Sequence, residues 1–432
     1  MSVAYSKYMQ IKIPNVTGSQ LSQTELEALS TELSQKLDKH ISLFCVDLTQ
    51  TTLTQFVECA SEDYVAAASL MPDAHQGYVA PIGSVIITKD VVVPSWVGYD
   101  IGCGVSAIRL SAPGLRKLVD SHLSEIYEAV KVAVPMGLGK LRPQQSVSLE
   151  SKQKFAQLLA QLESGAHDSE IVEYIRRKSP SNLGTLGEGN HFIELSVDSS
   201  VEQLDEVWVV IHSGSRNIGH KVATKYMKKS VVEGTNFERT APLRLTSREG
   251  EEYQAILEFG LEFALLNRLE MAHHITNAIS QVLGVAVQSE LWTNKNHNHA
   301  IPITYKGESC IIHRKGATPA QLGERGVIPA NMRDGSYLVE GLGNADFLWS
   351  SSHGAGRRLG RGAAKQLISM DDFTQSMAGI LGTVSEATLD EAPCAYKDIS
   401  VVMQSQSTSV KTVAHLRPLI NWKGEEKQRL RK

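Results

Sequence analysis

The sequence predicts one compact domain of the α+β class over residues 1–432. Helical and strand-like stretches both occur along the chain, and no internal repeat, low-complexity linker or abrupt change of composition marks a boundary between domains. The chain is 42% hydrophobic and 21% charged, as globular proteins are, and its 432 residues are enough to bury a substantial core.

Helical periodicity dominates the first half of the chain. Residues 22–39 repeat leucine every three or four positions, which predicts an amphipathic helix. Residues 84–94 alternate and are rich in β-branched side chains, so we expect a strand or hairpin that ends at Pro94. Residues 113–178 have a mostly helical pattern that is broken near GLGKLRPQQS.

The second half begins with a short apolar run and ends in glycine-rich sequence. The run EVWVVIH at 206–212 predicts a buried strand with His212 at its end. Residues 251–283 predict a long helix, and residues 284–292 predict a returning strand. Beyond Lys306 the abundance of glycine predicts mainly loops.

Charge and cysteine content narrow the functional classes. The formal net charge is −4, so no overall positive field attracts nucleic acid, and an RNA or DNA substrate needs a local basic patch. The five cysteines are scattered, which favours a reducing compartment over a disulfide framework. The first residues lack the apolar core of a signal peptide and no apolar run could span a bilayer, so we expect a cytoplasmic protein with no membrane partner.

A glycine-rich turn, VGYDIGCGV at 97–105, places Asp100 just before Cys103. Free cysteine packs well as a small hydrophobic residue, so a surface aspartate beside a buried cysteine is one interpretation. The other interpretation is that carboxylate and thiolate are both metal ligands, held on one side of a backbone that glycine allows to bend. The turn by itself does not decide between them.

Four histidines stand in glycine-, serine- or asparagine-rich turns: His191, His212, His297 and His353. A single histidine is most often a structural residue, but loops at strand ends are also where sites are assembled. A cysteine, a carboxylate and several imidazoles together suit Zn²⁺, Mn²⁺, Co²⁺ or Fe²⁺ and do not suit Ca²⁺. A thiolate can bridge two metals, and paired metals suit transfer reactions at phosphorus.

The segment HGAGRRLGR sets His353 among small residues, ahead of Arg357 and Arg361. If a helix follows, the two arginines lie on one face, where guanidinium groups can hold phosphate oxygens while the imidazole attacks phosphorus. A helix N-terminus with solvated arginines fits the same spacing equally well.

Nine motifs, taken in order, closely resemble the RtcB family of GTP-dependent RNA ligases. They are DAHQG, VGYDIGCGV, LGTLGEGNHFIEL, HSGSRNIGH, HN at 297–298, RKGA, HGAGR, EAPCAYKDI and LRPLINWKG. The resemblance runs from about Met71 to Gly424; residues 1–70 match only loosely, and residues 425–432 form an added C-terminal tail. It implies a single catalytic domain with central mixed β-sheets flanked by helices, and a dinuclear metal site at strand-end loops.

The resemblance implies roles for the matched residues. The implied metal ligands are Asp100, Cys103, His191, His212 and His297, with Cys103 bridging two Mn²⁺ ions. His299 could compete with His297, which we favour because Asn298 follows it as in the family. Asp73 matches an acidic residue near the metals.

The implied nucleotide site centres on His353, the residue that matches the guanylylated histidine of the family. The residues expected to contact GTP are Asn190, Glu194, Asn298, His353, Gly354, Ala355, Gly356, Arg357, Tyr396 and Lys423. Among them, Tyr396 matches the aromatic residue that packs on guanine and Lys423 the lysine that helps to select it. Arg361 also falls in the phosphate-binding region.

The reaction that the resemblance implies joins an RNA 3′-phosphate or 2′,3′-cyclic phosphate to a 5′-hydroxyl, in RNA repair or tRNA splicing. His353 takes GMP from GTP and passes it to the RNA 3′-phosphate, giving an RNA-(3′)pp(5′)G intermediate that the 5′-hydroxyl then attacks. The implied cofactors are two Mn²⁺ ions and GTP, and the implied partner is RNA, with or without an archease-like activator. A dinuclear metallophosphoesterase that opens cyclic phosphates without ligation is the alternative, although it would not need His353, Tyr396 or Lys423.

Two further features bear on the substrates. Where the family usually has a PGSMGT-like loop, this chain has PANMRDG at 329–335, which puts nucleotide affinity or selectivity in question. Lys221, Lys225 and Lys228 or Lys229 recur at helical spacing after SRNIGH, and with Arg216 they form either a basic face that guides RNA phosphates or a merely solvated helix face.

Overall fold

The computed structural model describes residues 21–165, 169–200, 205–227 and 240–424. Its helices are α1 (Gln23–Leu37), α2 (Gln50–Ala60), α3 (Pro94–Val97), α4 (Leu115–Ser121), α5 (Leu123–Ala133), α6 (Leu149–Gly165), α7 (Ser169–Asn182), α8 (Asn217–Met227), α9 (Arg248–Leu283), α10 (Arg361–Leu367), α11 (Met370–Ser376) and α12 (Ile399–Ser405).

The strands are β1 (His40–Leu43), β2 (Val65–His75), β3 (Ile82–Thr88), β4 (Val91–Val92), β5 (Gly104–Ser111), β6 (Phe192–Asp198), β7 (Glu206–Ser213), β8 (Leu243–Arg244), β9 (Gln288–Asn296), β10 (Asn298–Tyr305), β11 (Glu308–Lys315), β12 (Ala317–Pro319), β13 (Arg325–Pro329), β14 (Ser336–Gly341), β15 (Ser350–Ser352), β16 (Leu381–Gly382) and β17 (Val410–Lys423).

Two mixed sheets form the centre of the fold. The larger sheet has the order β13-β14-β17-β6-β7-β5-β9, with β16 beside β17, and the smaller has the order β1-β2-β3-β11-β10. Only the β16–β17 and β1–β2 pairs of these sheets are parallel, among the strands described. Two short pairs, β12–β15 and β4–β8, complete the strand pairing of the described chain. The predicted α+β class with mixed sheets is confirmed.

Helices cover both sheets through apolar faces. The helices α5 and α9 pack on one face of the larger sheet, where Ile193 and Ile211 meet Met271 and Ile275 in a buried cluster. The leucines of α1 and the apolar residues of α2 cover the smaller sheet in the same way. No helix in the described part of the chain combines the length and apolar character that crossing a membrane requires.

The early predictions of secondary structure are confirmed in outline. Helix α1 lies within 22–39, β7 delivers His212 near its end, and α9 extends the predicted 251–283 helix by one turn at its start. The strand expected at 284–292 lies later, as β9. The prediction of mainly loops beyond Lys306 is wrong: β11 to β17 and α10 to α12 lie there. Glycines such as Gly307, Gly316 and Gly335 occupy turns between strands, and Gly326 and Gly341 lie within strands.

Antiparallel pairing brings four chain segments to one end of the larger sheet. Strands β7 and β9 end where β5 and β6 begin: Gly104 pairs with Ser213 on one side and with Asn296 on the other, and Phe192 pairs with His212. Residues just outside these strand ends, far apart in sequence, are therefore neighbours.

Arg268, in the middle of α9, ties these strand ends together. Its guanidinium donates to the backbone carbonyls of Gly102 and Ser213 at 3.1 and 2.7 Å, and to the side-chain carbonyls of Asn294 and Asn296 at 2.7 Å each. Burial lowers the pKa of Arg268 to about 10, which still leaves the side chain charged at neutral pH. One side chain thus fixes the ends of three strands.

Its neighbour Asn267 fixes the loops around Gly184 and Gly214. The carboxamide accepts from the backbone N–H groups of Gly184 and Thr185 at 2.7 and 3.1 Å and donates to the carbonyl of Gly214 at 3.3 Å. Because all these groups are buried, each bond satisfies a polar atom that water does not reach.

We expect Arg268→Met to lower the free energy of unfolding by about 3 kcal/mol or more. The substitution leaves two buried carbonyls and two carboxamides without their donor, and unpaired buried polar groups are costly. Urea denaturation followed by circular dichroism measures the change. Arg248→Met, at an exposed position on the same helix, should shift stability by no more than about 0.5 kcal/mol; equal stability of the two variants would contradict the role given to Arg268.

Candidate metal centre and nucleotide cavity

The turn at 97–105 delivers Asp100 and Cys103 to the end of the larger sheet. Gly102 has φ +72°, and a Cβ there would meet the Ala264 side chain at 2.7 Å, so the turn requires glycine. The backbone N–H of Cys103 donates to the carbonyl of Asp100 at 3.0 Å, which closes the turn. The carbonyl of Cys103 in turn accepts from the N–H of His297 at 2.7 Å.

Cys103, His191, His212 and His297 converge at this point. The Cys103 Sγ lies 3.1 Å from Nε2 of His212 and 3.5 Å from Nε2 of His191. The Nε2 atoms of His212 and His297 are 3.3 Å apart, and Oδ2 of Asp100 lies 2.8 Å from Nε2 of His191. All five residues predicted as metal ligands therefore form one connected group.

Burial and neighbouring charges shift the pKa values in this group in different directions. Burial and neighbouring histidines hold the pKa values of His212 and His297 well below the usual range, so both imidazoles are neutral at pH 7. Burial raises the pKa of the Cys103 thiol well above its usual range. Burial also raises the pKa of Asp100, but the charge and hydrogen bond of His191 outweigh it and bring that pKa to about 2.

The donor set fits a divalent transition metal. Cys103, His191 and His212 each offer one ligand atom within 4.8 Å of the others, and all three are buried. Imidazole nitrogens and a thiol that converge in this way can serve as metal ligands, and a cysteine among them disfavours ions that prefer oxygen alone.

His299 does not join this group. Its Nε2 lies 3.0 Å from Nη1 of Arg314, the residue that pairs with it on the neighbouring strand β11. Of the two candidate histidines, the structure therefore brings His297 and not His299 to Cys103.

His353 stands beside the cluster at the end of β15. Its ring centroid is 4.8 Å from that of His297. Oδ2 of Asp73, a fully buried carboxylate on β2, lies 2.6 Å from Nδ1 of His353 and accepts from the backbone N–H of His353 and of Gly354 at 3.2 and 3.3 Å. Burial raises the pKa of Asp73, but His353 lowers it more, so the carboxylate stays ionised. Asp73 thus orients the imidazole.

The loop after His353 lies tightly against the backbone of Asp73. Gly356 has φ +74°, and a Cβ there would come within 2.1 Å of the backbone oxygen of Asp73, so the second glycine of HGAG is required by close packing. The Ala355 N–H donates to the carbonyl of Pro329 at 3.0 Å.

A cavity of about 190 Å³ opens in front of His353 and reaches His212. Nine of the residues expected to contact GTP line it: Asn190, Glu194, His353, Gly354, Ala355, Gly356, Arg357, Tyr396 and Lys423. Asn298 lies outside this lining, because its carboxamide bridges the backbone carbonyl of Asp100 and the N–H of Gly316 at 3.1 and 2.7 Å.

Glu391 organises the charged wall of the cavity. Its carboxylate accepts from Nη1 of Arg357 at 3.1 Å, Nη1 of Arg361 at 2.9 Å, Nζ of Lys423 at 2.9 Å and the hydroxyl of Tyr396 at 2.5 Å. Burial raises the pKa of Glu391, but the three cations around it bring it down to about 2. The charge of this buried group is therefore fixed at all physiological pH values.

Arg357 and Arg361 share Glu391 without sharing a helix face. Arg361 is the first residue of α10, whereas Arg357 precedes the helix and forms an isolated bridge with Tyr396. The Arg357 guanidinium lies 5.2 Å from the centroid of the Tyr396 ring. The two arginines therefore do not lie on one face of a helix, as they would if both were helical, but both side chains line the cavity.

Glu194 is the buried carboxyl on the opposite side. Burial raises its pKa to about 7, although hydrogen bonds from Ser196, Asn421 and Ser336 oppose the shift. Ser196 donates at 2.7 Å. Such a group accepts or donates a hydrogen bond near neutral pH, as a ligand requires.

The divergent loop 329–335 holds its shape through its own side chains. The Asn331 carbonyl accepts from the N–H groups of Arg333 and Asp334 at 3.0 Å each, and Nε of Arg333 donates to Asp334 at 2.7 Å. Ala330, Asn331 and Met332 face the cavity, whereas Arg333 pairs with its neighbour outside it.

The basic face predicted after SRNIGH is only partly described. Lys221 and Lys225 lie on α8, where Lys221 pairs with Glu170 at 3.5 Å and Lys225 lies 5.8 Å from the Tyr226 ring centroid. The guanidinium of Arg216 is buried, with Nε donating to the Thr185 hydroxyl at 3.2 Å. Lys228 and Lys229 lie outside the described residues.

The sequence analysis assigned no role to three residues that order this region. Glu391 opens the motif EAPCAYKDI, and the adjacent Asn267 and Arg268 interrupt an apolar helix at LLNRLEM. The pair Asn267 and Arg268 could have been recognised, because two polar residues in an otherwise apolar helix must have specific hydrogen-bond partners.

Comparisons with known proteins agree with this geometry. The family described as tRNA-splicing ligase RtcB matches residues 55–424, beginning before Met71, where the motif resemblance starts. RNA-splicing ligase RtcB of Escherichia coli K12 is 35% identical over 373 residues, which cover 82% of this chain and 90% of that protein. tRNA-splicing ligase RtcB of Nanoarchaeum equitans is 30% identical over 425 residues, covering 82% and 87%. This chain belongs to the tRNA-splicing ligase RtcB family.

Proposed function

We propose that this protein, an RNA ligase of the RtcB family, joins RNA 3′-phosphate or 2′,3′-cyclic phosphate ends to 5′-hydroxyl ends through a guanylylated His353. The observation that carries the proposal is the position of His353, which lines the cavity while its ring lies 4.8 Å from that of His297 in the Cys/His cluster. RNA repair and tRNA splicing are the processes that this reaction serves.

His353 is the nucleophile in this proposal. With Nδ1 next to the Asp73 carboxylate, Nε2 is the nitrogen that would attack the α-phosphorus of GTP, and pyrophosphate leaves with the electron pair of the broken P–O bond. The attack places positive charge on the imidazole, which the ionised Asp73 balances. An oxygen of the RNA 3′-phosphate then displaces His353 from the guanylate, and the 5′-hydroxyl displaces GMP.

The cavity wall supplies the nucleotide site. Guanine presents two adjacent N–H donors on one edge, and we propose that the Glu194 carboxyl accepts from them, with Tyr396 packing against the base. Arg357 and Lys423 bring positive charge to the same cavity. Asn190 and the 354–356 backbone complete the proposed contacts.

We propose that Asp100, Cys103, His191, His212 and His297 hold two Mn²⁺ ions. Bound there, the ions would neutralise charge on the phosphate oxygens during transfer. The protein's own contribution is to keep the imidazoles neutral and the donor atoms converged before any ion binds.

The proposal predicts covalent labelling of His353. Wild-type protein incubated with Mn²⁺ and α-³²P-GTP should retain label after denaturing electrophoresis, and His353→Ala should retain none, because the attacking nitrogen is gone. His273→Ala, an exposed histidine on α9, is the matched control and should label as wild type does.

An unlabelled wild-type protein would contradict the proposal. If that protein still opened 2′,3′-cyclic phosphates, the metallophosphoesterase alternative would replace it.

Metal affinity should rise steeply with pH. Because burial holds the Cys103 thiol protonated at neutral pH, Mn²⁺ must displace about one proton to bind a thiolate there, so affinity falls as pH falls. Calorimetric titration of Mn²⁺ in buffers of different ionisation enthalpy measures the released proton. Cys103→Ala should bind Mn²⁺ more weakly and release about one proton fewer; an unchanged proton count would exclude Cys103 as a ligand.

A further inference from the structure

Three aromatic rings form a contiguous surface beside the metal centre. The centroids of Tyr78 and Tyr99 are 5.5 Å apart in an edge-to-face arrangement, and those of Tyr99 and His220 are 5.3 Å apart and nearly parallel, at 28°. We call Tyr78, Tyr99 and His220 the aromatic platform. Tyr78 is 63% exposed and His220 is also exposed, whereas Tyr99 is half-buried between them.

Each ring of the platform is attached to a segment that builds the site. Tyr99 directly precedes Asp100, Tyr78 follows His75 of the cavity lining, and His220 lies on α8, just beyond the strand that carries His212. Helix α8 packs against α3, which brings the ring of His220 to that of Tyr99.

The candidate metal centre is partly exposed to solvent at Asp100, the residue that follows Tyr99 of the platform. The Asp100 side chain is 35% exposed, whereas the side chain of His191, which it contacts, is only 6% exposed. The cluster therefore meets the nucleotide cavity through His212 and solvent through Asp100. A reaction between a nucleotide and an RNA end needs two openings to the same centre, one for each substrate.

Tyr78 is fixed in place although its ring is uncovered. The Gln55 carboxamide donates to the carbonyls of Gly77 and Tyr78 at 2.8 and 3.3 Å and accepts from the Gly77 N–H at 3.2 Å. Among the large hydrophobic side chains that the described residues leave well exposed, Tyr78 is the aromatic one. An ordered, uncovered aromatic ring costs nothing further in backbone ordering when it binds a ligand.

We propose that the aromatic platform stacks an unpaired nucleobase at the end of the RNA strand, while the terminal phosphate or hydroxyl of that nucleotide reaches the metal centre. Single-stranded RNA is recognised largely by stacking of splayed bases on Tyr, Phe, Trp or His rings. Lys221, next to His220, is partly exposed, and a phosphate of the strand could replace its present partner Glu170, which lies 3.5 Å away. The inference rests on the proposed function, since it takes an RNA end as the second substrate.

The experiment compares RNA ends with and without a terminal base. Four short fluorescent single-stranded RNAs are compared: two end in a 3′-phosphate and two in a 5′-hydroxyl, and one of each pair has an abasic terminal nucleotide. Fluorescence anisotropy in the presence of Mn²⁺ and without GTP measures the affinity of the protein for each RNA. We expect Tyr78→Ala to weaken binding of one normal end about fivefold or more, and to leave its abasic counterpart unchanged. Tyr78→Phe, which keeps the ring, should bind as wild type does, and the end that responds identifies which strand lies on the platform.

Control variants separate this inference from the proposed function. Leu322→Ala removes a side chain that is 80% exposed but outside the platform, and it should change no affinity. Guanylate labelling tests the proposed function independently, because it needs no RNA. If Tyr78→Ala still takes up guanylate label but loses equal affinity for normal and abasic ends, or loses none for either, the platform is overturned and the proposed function is not. If the wild-type protein takes up no label, the proposed function is overturned.

Discussion

Hydrogen bonds from one buried side chain, Arg268, hold the strand ends from which the candidate centre is built. Its guanidinium binds groups at the ends of β5, β7 and β9, directly beside Cys103, His212 and His297. A metal site needs its donor atoms in place before the ion arrives, and groups behind the ligands provide that order. The long helix α9 is therefore as much a part of the site as the strands.

A second buried charge plays the same part for the candidate nucleotide cavity. Glu391 gathers Arg357, Arg361 and Lys423, three cations that would repel one another without it. Because these side chains come from separate segments, the carboxylate connects the loop after His353, the helix α10 and the end of β17. The cavity and the candidate metal centre thus adjoin at His212 and His353. Arg268 orders one of them and Glu391 the other, and these two buried groups carry opposite charges.

The motifs that contain the candidate metal ligands could be recognised from the sequence. Cysteine, aspartate and histidine at glycine-rich strand ends predicted a transition-metal donor set, and the structure brings Asp100, Cys103, His191, His212 and His297 together. Their roles as ligands stay predictions. The strands beyond Lys306 were missed because short strands separated by glycine turns show too little periodicity for a local pattern to reveal.

The sequence by itself determined the α+β class, the principal helices and the residue types of the site, because periodicity and donor chemistry are local properties. Only the tertiary structure decided that His297 rather than His299 reaches Cys103, and that Asn298 bridges two loops outside the cavity. It alone revealed Arg268 and Glu391 as the groups that order the site. The physical reason is that strand register and buried ion pairs join residues hundreds of positions apart, and no local pattern encodes which of them meet.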